Sequence, residues 1–90
     1  MYEIEMSAKF KRDLKTARKR GYDLDKLDSV VTLLSNCVAL PLKNKDHDLI
    51  GNYTGFRECH IAPDWLLIYR IEEDVLVLYL LRTGTHSDLF

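Results

Sequence analysis

The chain has 90 residues, of which 47% are hydrophobic and 30% are charged, and its formal net charge is −1. This length predicts a single domain over residues 1–90 with one modest core. No apolar run is long enough to cross a bilayer, and none near the start resembles a signal peptide, so we expect a soluble protein of the cytoplasm with no membrane partner.

The charge is distributed unevenly along the chain. Residues 9–20 carry seven cations and one anion, Asp13, a balance of +6, whereas the rest of the chain carries −7. Such asymmetry predicts a polyanionic partner on the basic side, and a solvated helix face is the alternative that charge alone leaves open. The seven cations are Lys9, Lys11, Arg12, Lys15, Arg18, Lys19 and Arg20.

The first half of the chain predicts a strand followed by two helices. Residues 2–6 alternate apolar and polar side chains, as strands with one buried face do. Ser7 suits the N-cap of a helix over residues 8–20, because its hydroxyl can accept a hydrogen bond from a free amide of the first turn. Asp23 suits the same position before a second helix over residues 24–36. The short link between the helices predicts an antiparallel hairpin.

The second half predicts a loop and three strands. Pro41, Gly51 and Gly55 interrupt the helical pattern and mark residues 39–55 as a loop. Three apolar runs then follow, and the short joins between them predict neighbouring antiparallel strands. The predicted strands are Phe56–Ile61, Trp65–Ile71 and Val75–Leu81.

The element order is therefore β-α-α-β-β-β, an α+β fold in which the helical hairpin packs on a small, mainly antiparallel sheet. The last two strands are almost continuously apolar, which is typical of strands covered on both faces. Two helices cover only one face. The other face needs the C-terminal segment, a partner protein or a ligand.

The two cysteines, Cys37 and Cys59, do not form a CxxC pattern. A disulfide framework needs more cysteines in a chain this short. We therefore expect both to be reduced thiols packed as small apolar groups.

Three histidines lie outside the predicted hairpin, close in sequence to an aspartate, a tryptophan and an arginine. Antiparallel neighbours return the chain to the same end of a sheet, so residues that flank those strand ends should converge. The set expected to converge is His60, Asp64, Trp65, Arg82 and His86, with His47 in the preceding loop.

These residue types suit acid–base chemistry on a phosphodiester. One imidazole can take a proton while another gives one, and a guanidinium can bind the phosphate. Trp65 and Phe90 can stack on unpaired bases, although Trp65 also fits the core and Phe90 also fits packing against the sheet. The set fits RNA cleavage by the ribose 2′-hydroxyl without metal or cofactor. A metal site has less support because no compact ligand motif such as HExxH is present, and purely structural histidines are the remaining alternative.

Two segments resemble a known family. "KDHDLIGNYTGFRECHIAPDWLLIYR" (residues 45–70) and "LYLLRTGTHSDLF" (residues 78–90) are similar to the YafQ-type toxins of the RelE/ParE superfamily. With the strand and hairpin before them, the resemblance covers nearly the whole chain. It implies the toxin of a type II toxin–antitoxin pair, a ribosome-dependent endoribonuclease that cuts messenger RNA in the ribosomal A site and binds a cognate antitoxin.

The resemblance also implies roles for residues. His86 corresponds to a general base, Arg82 to a phosphate ligand that stabilises transition-state charge, and His60 with Asp64 to proton transfer and orientation. His47 is expected to position RNA or supply a proton, and such coupled groups can exchange acid and base roles. Trp65 and Phe90 match the surrounding RNA-binding positions. The basic first helix is expected to contact ribosomal RNA through Lys9, Lys11, Arg12, Lys15 and Arg18.

One position departs from the family pattern. YafQ-like toxins often have proline after the loop histidine, where this chain has Asp48, and a carboxylate there is expected to alter the surroundings of His47 or to repel phosphate. Two other functions stay open. One is a superfamily member that poisons DNA gyrase by binding alone, against which the three histidines argue; the other is a catalytically inactive interaction domain.

Overall fold

Three α-helices and a five-stranded sheet make up the fold in the computed structural model, which describes residues 1–90. The helices are α1 (Ala8–Lys19), α2 (Leu24–Ser35) and α3 (His86–Leu89). The strands are β1 (Glu3–Met6), β2 (His47–Asp48), β3 (Arg57–Ala62), β4 (Trp65–Glu72) and β5 (Val77–Gly84), and two short 3₁₀ turns lie at Leu42–Asn44 and Gly51–Tyr53.

The helical hairpin forms where the capping residues predict it. The Ser7 hydroxyl accepts a hydrogen bond from the Phe10 amide at 2.9 Å, and the Asp23 carboxylate accepts one from the Asp25 amide at 3.1 Å. Each cap satisfies an amide that has no partner inside the helix. The buried stripes of α1 and α2 consist of Phe10, Ala17, Leu27, Val30, Val31 and Leu34.

The sheet is mixed, with strand order β1-β5-β4-β3-β2. β1 pairs parallel with β5, and all other neighbours are antiparallel, so the predicted meander of three strands is confirmed. The sheet and the helices on it give the predicted α+β class.

The two faces of the sheet pack against different parts of the chain. One face, which carries Leu67 and Tyr69, packs against α1 and α2 in a core cluster of 12 buried residues. The opposite face, which carries Leu66 and Ile68, packs against Leu89 of α3 and against partly buried side chains from the loop before β3. The second face is therefore covered in part by the C-terminal segment, one of the three predicted possibilities.

Both boundaries of the last predicted strand and one predicted burial are wrong. The last strand begins at Val77 rather than Val75, because residues 73–76 form the turn, with Leu76 in the left-handed region at φ 55°, and it continues to Gly84. Cys37 is exposed rather than packed, also with a positive φ of 62°, whereas Cys59 is fully buried and its burial raises the pKa of the thiol to about 12. The short elements β2 and α3 were not predicted.

Two irregularities interrupt the pairing of the sheet. Between β3 and β4, His60 pairs with Leu66 while Ala62 pairs with Trp65, so Ile61 is an extra residue. Between β4 and β5 the register shifts in the same way, so that Leu81 is an extra residue before Arg82. Such bulges change the face on which the next side chain lies. No helix is both long enough and apolar enough to cross a membrane.

Candidate active site

A row of directly opposed residues crosses the second face of the sheet. His47 in β2 pairs with Glu58 in β3, Glu58 pairs with Ile68 in β4, and Ile68 pairs with Arg82 in β5. Opposed residues of paired strands share a face. The strand register therefore brings two predicted site residues, His47 and Arg82, onto the face that α3 covers, and adds Glu58 between them.

Two imidazoles approach one carboxylate oxygen in this row. Nε2 of His47 lies 3.7 Å from Oε1 of Glu58, and Nε2 of His60 lies 3.9 Å from the same oxygen. Nδ1 of His47 lies 2.6 Å from the carbonyl oxygen of Lys45, which can only accept, so Nδ1 carries a proton. Glu58 is only 5% exposed, and a buried carboxylate is costly unless it is paired. The imidazoles of His47 and His60 are the two groups near enough to form an ion pair with Glu58 when either one is protonated.

Arg57 fixes the short strand that carries His47. Its guanidinium bonds Asp46 through Nε and Nη2 at 3.3 and 3.2 Å and also bonds Asp48, while the hydroxyl of buried Tyr69 donates to Asp46. The hydrogen bonds to Asp46 raise the pKa of Arg57 above its ordinary value, so this guanidinium stays charged. The Asp48 carboxylate, which stands where YafQ-like toxins often have proline, is thus paired with Arg57.

Arg82 is held by a residue of the basic helix. Its Nε and Nη2 donate to the Asp13 carboxylate at 2.8 and 3.2 Å, and the same carboxylate accepts the Thr83 amide at 3.1 Å. Asp13 raises the pKa of Arg82, so the guanidinium remains a cation. Asp13 binds Nε and Nη2 and Tyr53 also lies beside the guanidinium, which has further N–H donors of the kind that bind an anion.

His86 begins α3, and several contacts fix this helix at the end of the sheet. The Asp64 carboxylate accepts the His86 amide at 3.1 Å and so holds the start of α3, a contact that the sequence did not predict. The imidazole ring of His86 lies against Phe90, with ring centroids 4.9 Å apart. Phe90 is 56% exposed, which leaves surface for stacking.

The carboxylate of Asp88 completes the attachment of α3. It accepts two hydrogen bonds from Arg20 at 2.6 and 3.1 Å and one from the Thr85 amide, and Arg20 is the main cause of its lowered pKa. Gly84 lies directly beneath it, because a Cβ at Gly84 would lie 2.8 Å from Oδ2 of Asp88. The hydroxyl of Tyr53 donates to the Leu89 carbonyl at 3.0 Å from the other side.

Trp65 does not join these residues. Its ring is 4% exposed, packs against Tyr22 with centroids 4.9 Å apart, and donates its Nε1–H to Thr83 at 2.9 Å on the hairpin side of the sheet. The bulge at Ile61 places His60 and Ala62 on different faces, and Trp65 lies opposite Ala62. Its burial does not fit the predicted stacking on a base, so we assign Trp65 to the core.

The basic stretch forms an exposed surface on α1. Arg20 forms an ion pair with Asp88, and Asp13 forms one with Arg82. Two of the eight charged residues of this stretch therefore bind other parts of the chain. The other six cations form no ion pair within the chain. They are Lys9, Lys11, Arg12, Lys15, Arg18 and Lys19, all exposed.

Sequence reasoning missed Glu58 and Asp13. Glu58 has a local signal, because it lies two residues before His60 on a strand and therefore shares a face with it. Asp13 has none, since only the fold brings α1 beside β5. The geometry as a whole offers imidazoles for proton transfer, a buried carboxylate between two of them and a fixed guanidinium on one face of an α+β fold.

Comparison with known proteins assigns this fold to a class of small bacterial toxins. A family model described as a bacterial toxin of type II toxin–antitoxin systems, YafQ, matches residues 2–90. The mRNA interferase toxin YafQ of Escherichia coli strain K12 is 44% identical over 89 residues, covering 98% of this chain and 95% of the relative. The chain belongs to the YafQ family of type II toxins.

Solved structures agree with this assignment. A metal-bound toxin from Helicobacter pylori is 48% identical with a TM-score of 0.94, and the match covers 100% of both chains. YafQ in the E. coli DinJ–YafQ toxin–antitoxin complex is 43% identical with a TM-score of 0.88, covering 99% of this chain and 97% of the other.

The metal-bound relative raises the question of whether this site fits a metal ion. His47, Glu58 and His60 offer nitrogen and oxygen donors of a kind that transition metals accept. Nevertheless, no group of three ligating side chains in the structure is arranged so that it could hold a metal ion.

Proposed function

We propose that this chain is an endoribonuclease toxin that cuts messenger RNA on the ribosome in the cytoplasm, and that a cognate antitoxin neutralises it. The E. coli relative named as an mRNA interferase supports the substrate, and the DinJ–YafQ complex supports the antitoxin partner. The observation that carries the proposal is the row of His47, Glu58 and Arg82 on the sheet face beneath α3.

In the proposed reaction, the ribose 2′-oxygen attacks the adjacent phosphate and the bond to the 5′-oxygen breaks, which leaves a 2′,3′-cyclic phosphate. His86 accepts the proton of the 2′-hydroxyl, and His60 or His47 gives a proton to the departing 5′-oxygen. Arg82 binds the phosphate and stabilises its growing negative charge. No serine or cysteine nucleophile and no cofactor takes part.

Other residues position these groups. Asp64 holds the start of α3 and thereby His86, and Asp13 holds Arg82. The Glu58 carboxylate lies near both imidazoles and offsets the positive charge of whichever one holds the proton to be donated. Phe90 stacks on a base beside the cut, and the exposed cations of α1 contact ribosomal RNA through its phosphates.

The proposal is tested by in-vitro translation with mapped messenger 5′ ends. Wild-type toxin stripped of metal beforehand should produce discrete cuts, and His86→Ala should lower the cleavage rate by about 10²–10⁴-fold, the usual contribution of a general base. Equal cutting by His86→Ala would contradict the assigned chemistry. Equal cutting of naked and ribosome-bound messenger would contradict ribosome dependence.

The rival functions predict other outcomes. A gyrase poison would cause a DNA damage response without loss of messenger, and an inactive interaction domain would give no cuts and the same phenotype for His86→Ala. A folded, toxic wild-type protein that leaves messenger intact would therefore favour the gyrase poison.

A further inference from the structure

A second concave surface adjoins the candidate active site at His60. It is a groove of about 680 Å³ between α2, the first 3₁₀ turn and the end of β3. This volume lies in the range of pockets that bury a ligand or several side chains of a partner. The apolar lining comes mainly from Val30, Leu33, Ile61 and Ala62.

Three lysines surround this apolar floor. Lys26 comes from α2, and Lys43 and Lys45 come from the 3₁₀ turn and the residue after it. None of the three forms an ion pair within the chain, so their charges are available to a partner. Leu42, the residue before Lys43, does not line the groove and is 96% exposed.

A buried amide fixes the shape of the groove. Asn44 is 6% exposed, and its Nδ2 donates to the His60 carbonyl at 2.7 Å. This hydrogen bond ties the 3₁₀ turn to β3, so the groove exists before any partner binds. His60 lines the groove and its imidazole faces Glu58 in the active-site row, so this residue connects the two surfaces.

The chemistry of the groove favours a protein segment over RNA. No phenylalanine, tyrosine or tryptophan lines it and His60 supplies its one aromatic ring, so the groove lacks the row of stacking rings that supports most recognition of single-stranded RNA. An apolar floor with a cationic rim suits an amphipathic segment that places apolar side chains in the groove and carboxylates on the lysines.

We propose that an acidic, amphipathic segment of the antitoxin docks in this groove. The inference rests on the antitoxin part of the proposed function and names the surface and the chemistry of the contact. The groove residues Ser29, Lys26 and Lys43 do not belong to the sheet face proposed to cut RNA, so variants at these positions should escape neutralisation while they still cleave messenger.

A matched pair of α2 variants tests the apolar part of the groove. Ser29 lines the groove and is exposed, and Thr32 is exposed on the same helix outside it. Ser29→Trp should fill the groove and raise the dissociation constant for the chain's own antitoxin by about tenfold or more, as for loss of an interface anchor. Thr32→Trp should change it by less than about twofold. Both are measured by competition calorimetry, with circular dichroism to confirm folding.

Charge reversal tests the rim. Lys26→Glu with Lys43→Glu should weaken antitoxin binding by about tenfold or more and reduce its dependence on salt, while Lys19→Glu on α1 should leave it nearly unchanged. The proposal would be overturned if Ser29→Trp and the double variant Lys26→Glu with Lys43→Glu both bound the antitoxin with wild-type affinity. A loss of ribosome binding by the double variant with unchanged antitoxin affinity would also overturn it and would assign the groove to RNA. Wild-type toxin that binds antitoxin but cuts no messenger would contradict the proposed function alone.

Discussion

Asp13 both links α1 to β5 and holds the guanidinium of Arg82 in place. It is the single anion among the seven cations of residues 9–20, yet its carboxylate is only partly exposed and accepts three hydrogen bonds from Arg82 and Thr83. Hydrogen bonds to a charged group contribute more than neutral ones, and a guanidinium held in a fixed position loses less freedom when it binds phosphate. Asp13 therefore differs in role from the cations around it, because it holds Arg82 of the candidate active site.

Asp13→Asn should lower both stability and cleavage. We expect the free energy of unfolding to fall by about 1–3 kcal/mol, because the variant removes a charged hydrogen-bond acceptor from a partly buried network. Cleavage of ribosome-bound messenger should fall as well, since Arg82 is no longer fixed. Asp28→Asn, on the exposed side of α2 with no ion pair, is the matched control and should lie within about 0.5 kcal/mol of wild type in urea unfolding. Unchanged cleavage by a destabilised Asp13→Asn protein would show that Asp13 does not contribute to cleavage.

At the scale of elements, α3 is short enough that it depends on its surroundings. Four residues form too few internal hydrogen bonds for a helix to persist by itself. Its position is set by a capping box between Thr85 and Asp88, by Arg20 and by the burial of Leu89. Because His86 lies on this helix, the geometry of the proposed general base depends on how α3 packs against α1 and the sheet.

Asp88→Ala should loosen α3 in a pH-dependent way. The pKa of Asp88 is lowered in the folded protein, chiefly by Arg20, so its contribution is fully present above the unfolded value of about 4 and is lost as the pH falls through the lower folded value. At pH 7 the variant should lose about 1 kcal/mol of stability, the usual value of a helix cap. The difference from wild type should shrink below pH 4 in thermal unfolding. A difference that stays constant down to pH 2 would show that the charge of Asp88 does not contribute.

The sequence predicted the long elements because their signals are local. Caps at Ser7 and Asp23 and the helical spacing of apolar residues determine α1 and α2, and the strands after residue 56 follow from short joins between apolar runs. In contrast, α3 has only four residues, too few for a periodic pattern. The start of β5 was misplaced because Val75 and Leu76 are apolar yet lie exposed in the turn.

The site was predicted in part for the same reason. Histidines at the ends of strands could be placed by topology, but the exact face of each side chain depends on bulges that apolar patterns do not reveal. Trp65 was therefore assigned to the RNA-binding surface although it belongs to the core. The contact between Asp64 and α3 was not predicted because the partner of Asp64 is a backbone amide, which carries no mark in the sequence.

At the scale of the whole molecule, charge is separated between surfaces. The net charge is only −1, but the cations without a partner on α1 form one surface and the three lysines of the groove form another. A nearly neutral protein can thus offer separate basic surfaces to RNA and to an acidic protein segment without a strong overall field. Local distribution rather than total charge sets its partners.

The α1 surface should make ribosome binding sensitive to salt. In a His86→Ala background that does not cut, Lys11→Gln with Lys15→Gln should weaken ribosome binding and reduce the slope of log affinity against log salt by about one for each phosphate that the protein no longer neutralises. Lys26→Gln with Lys43→Gln removes two charges outside α1 and serves as the control, with wild-type slope expected. Equal slopes for the two double variants would remove α1 from the ribosome-binding surface.

The extra residue in β5 has a consequence for how this chain tolerates changes in length. Leu80 pairs with Tyr69 and Arg82 pairs with Ile68, so Leu81 is the one residue of the strand without a counterpart. Deleting Leu81 would remove some packing but would keep Arg82, Gly84 and α3 on their present faces of the sheet. Inserting one more residue at this point would move their side chains to the opposite face. In a scan of single-residue deletions along β5, Leu81 should therefore be the position where toxicity survives best. β5 therefore tolerates the loss of one residue at Leu81 better than the gain of one.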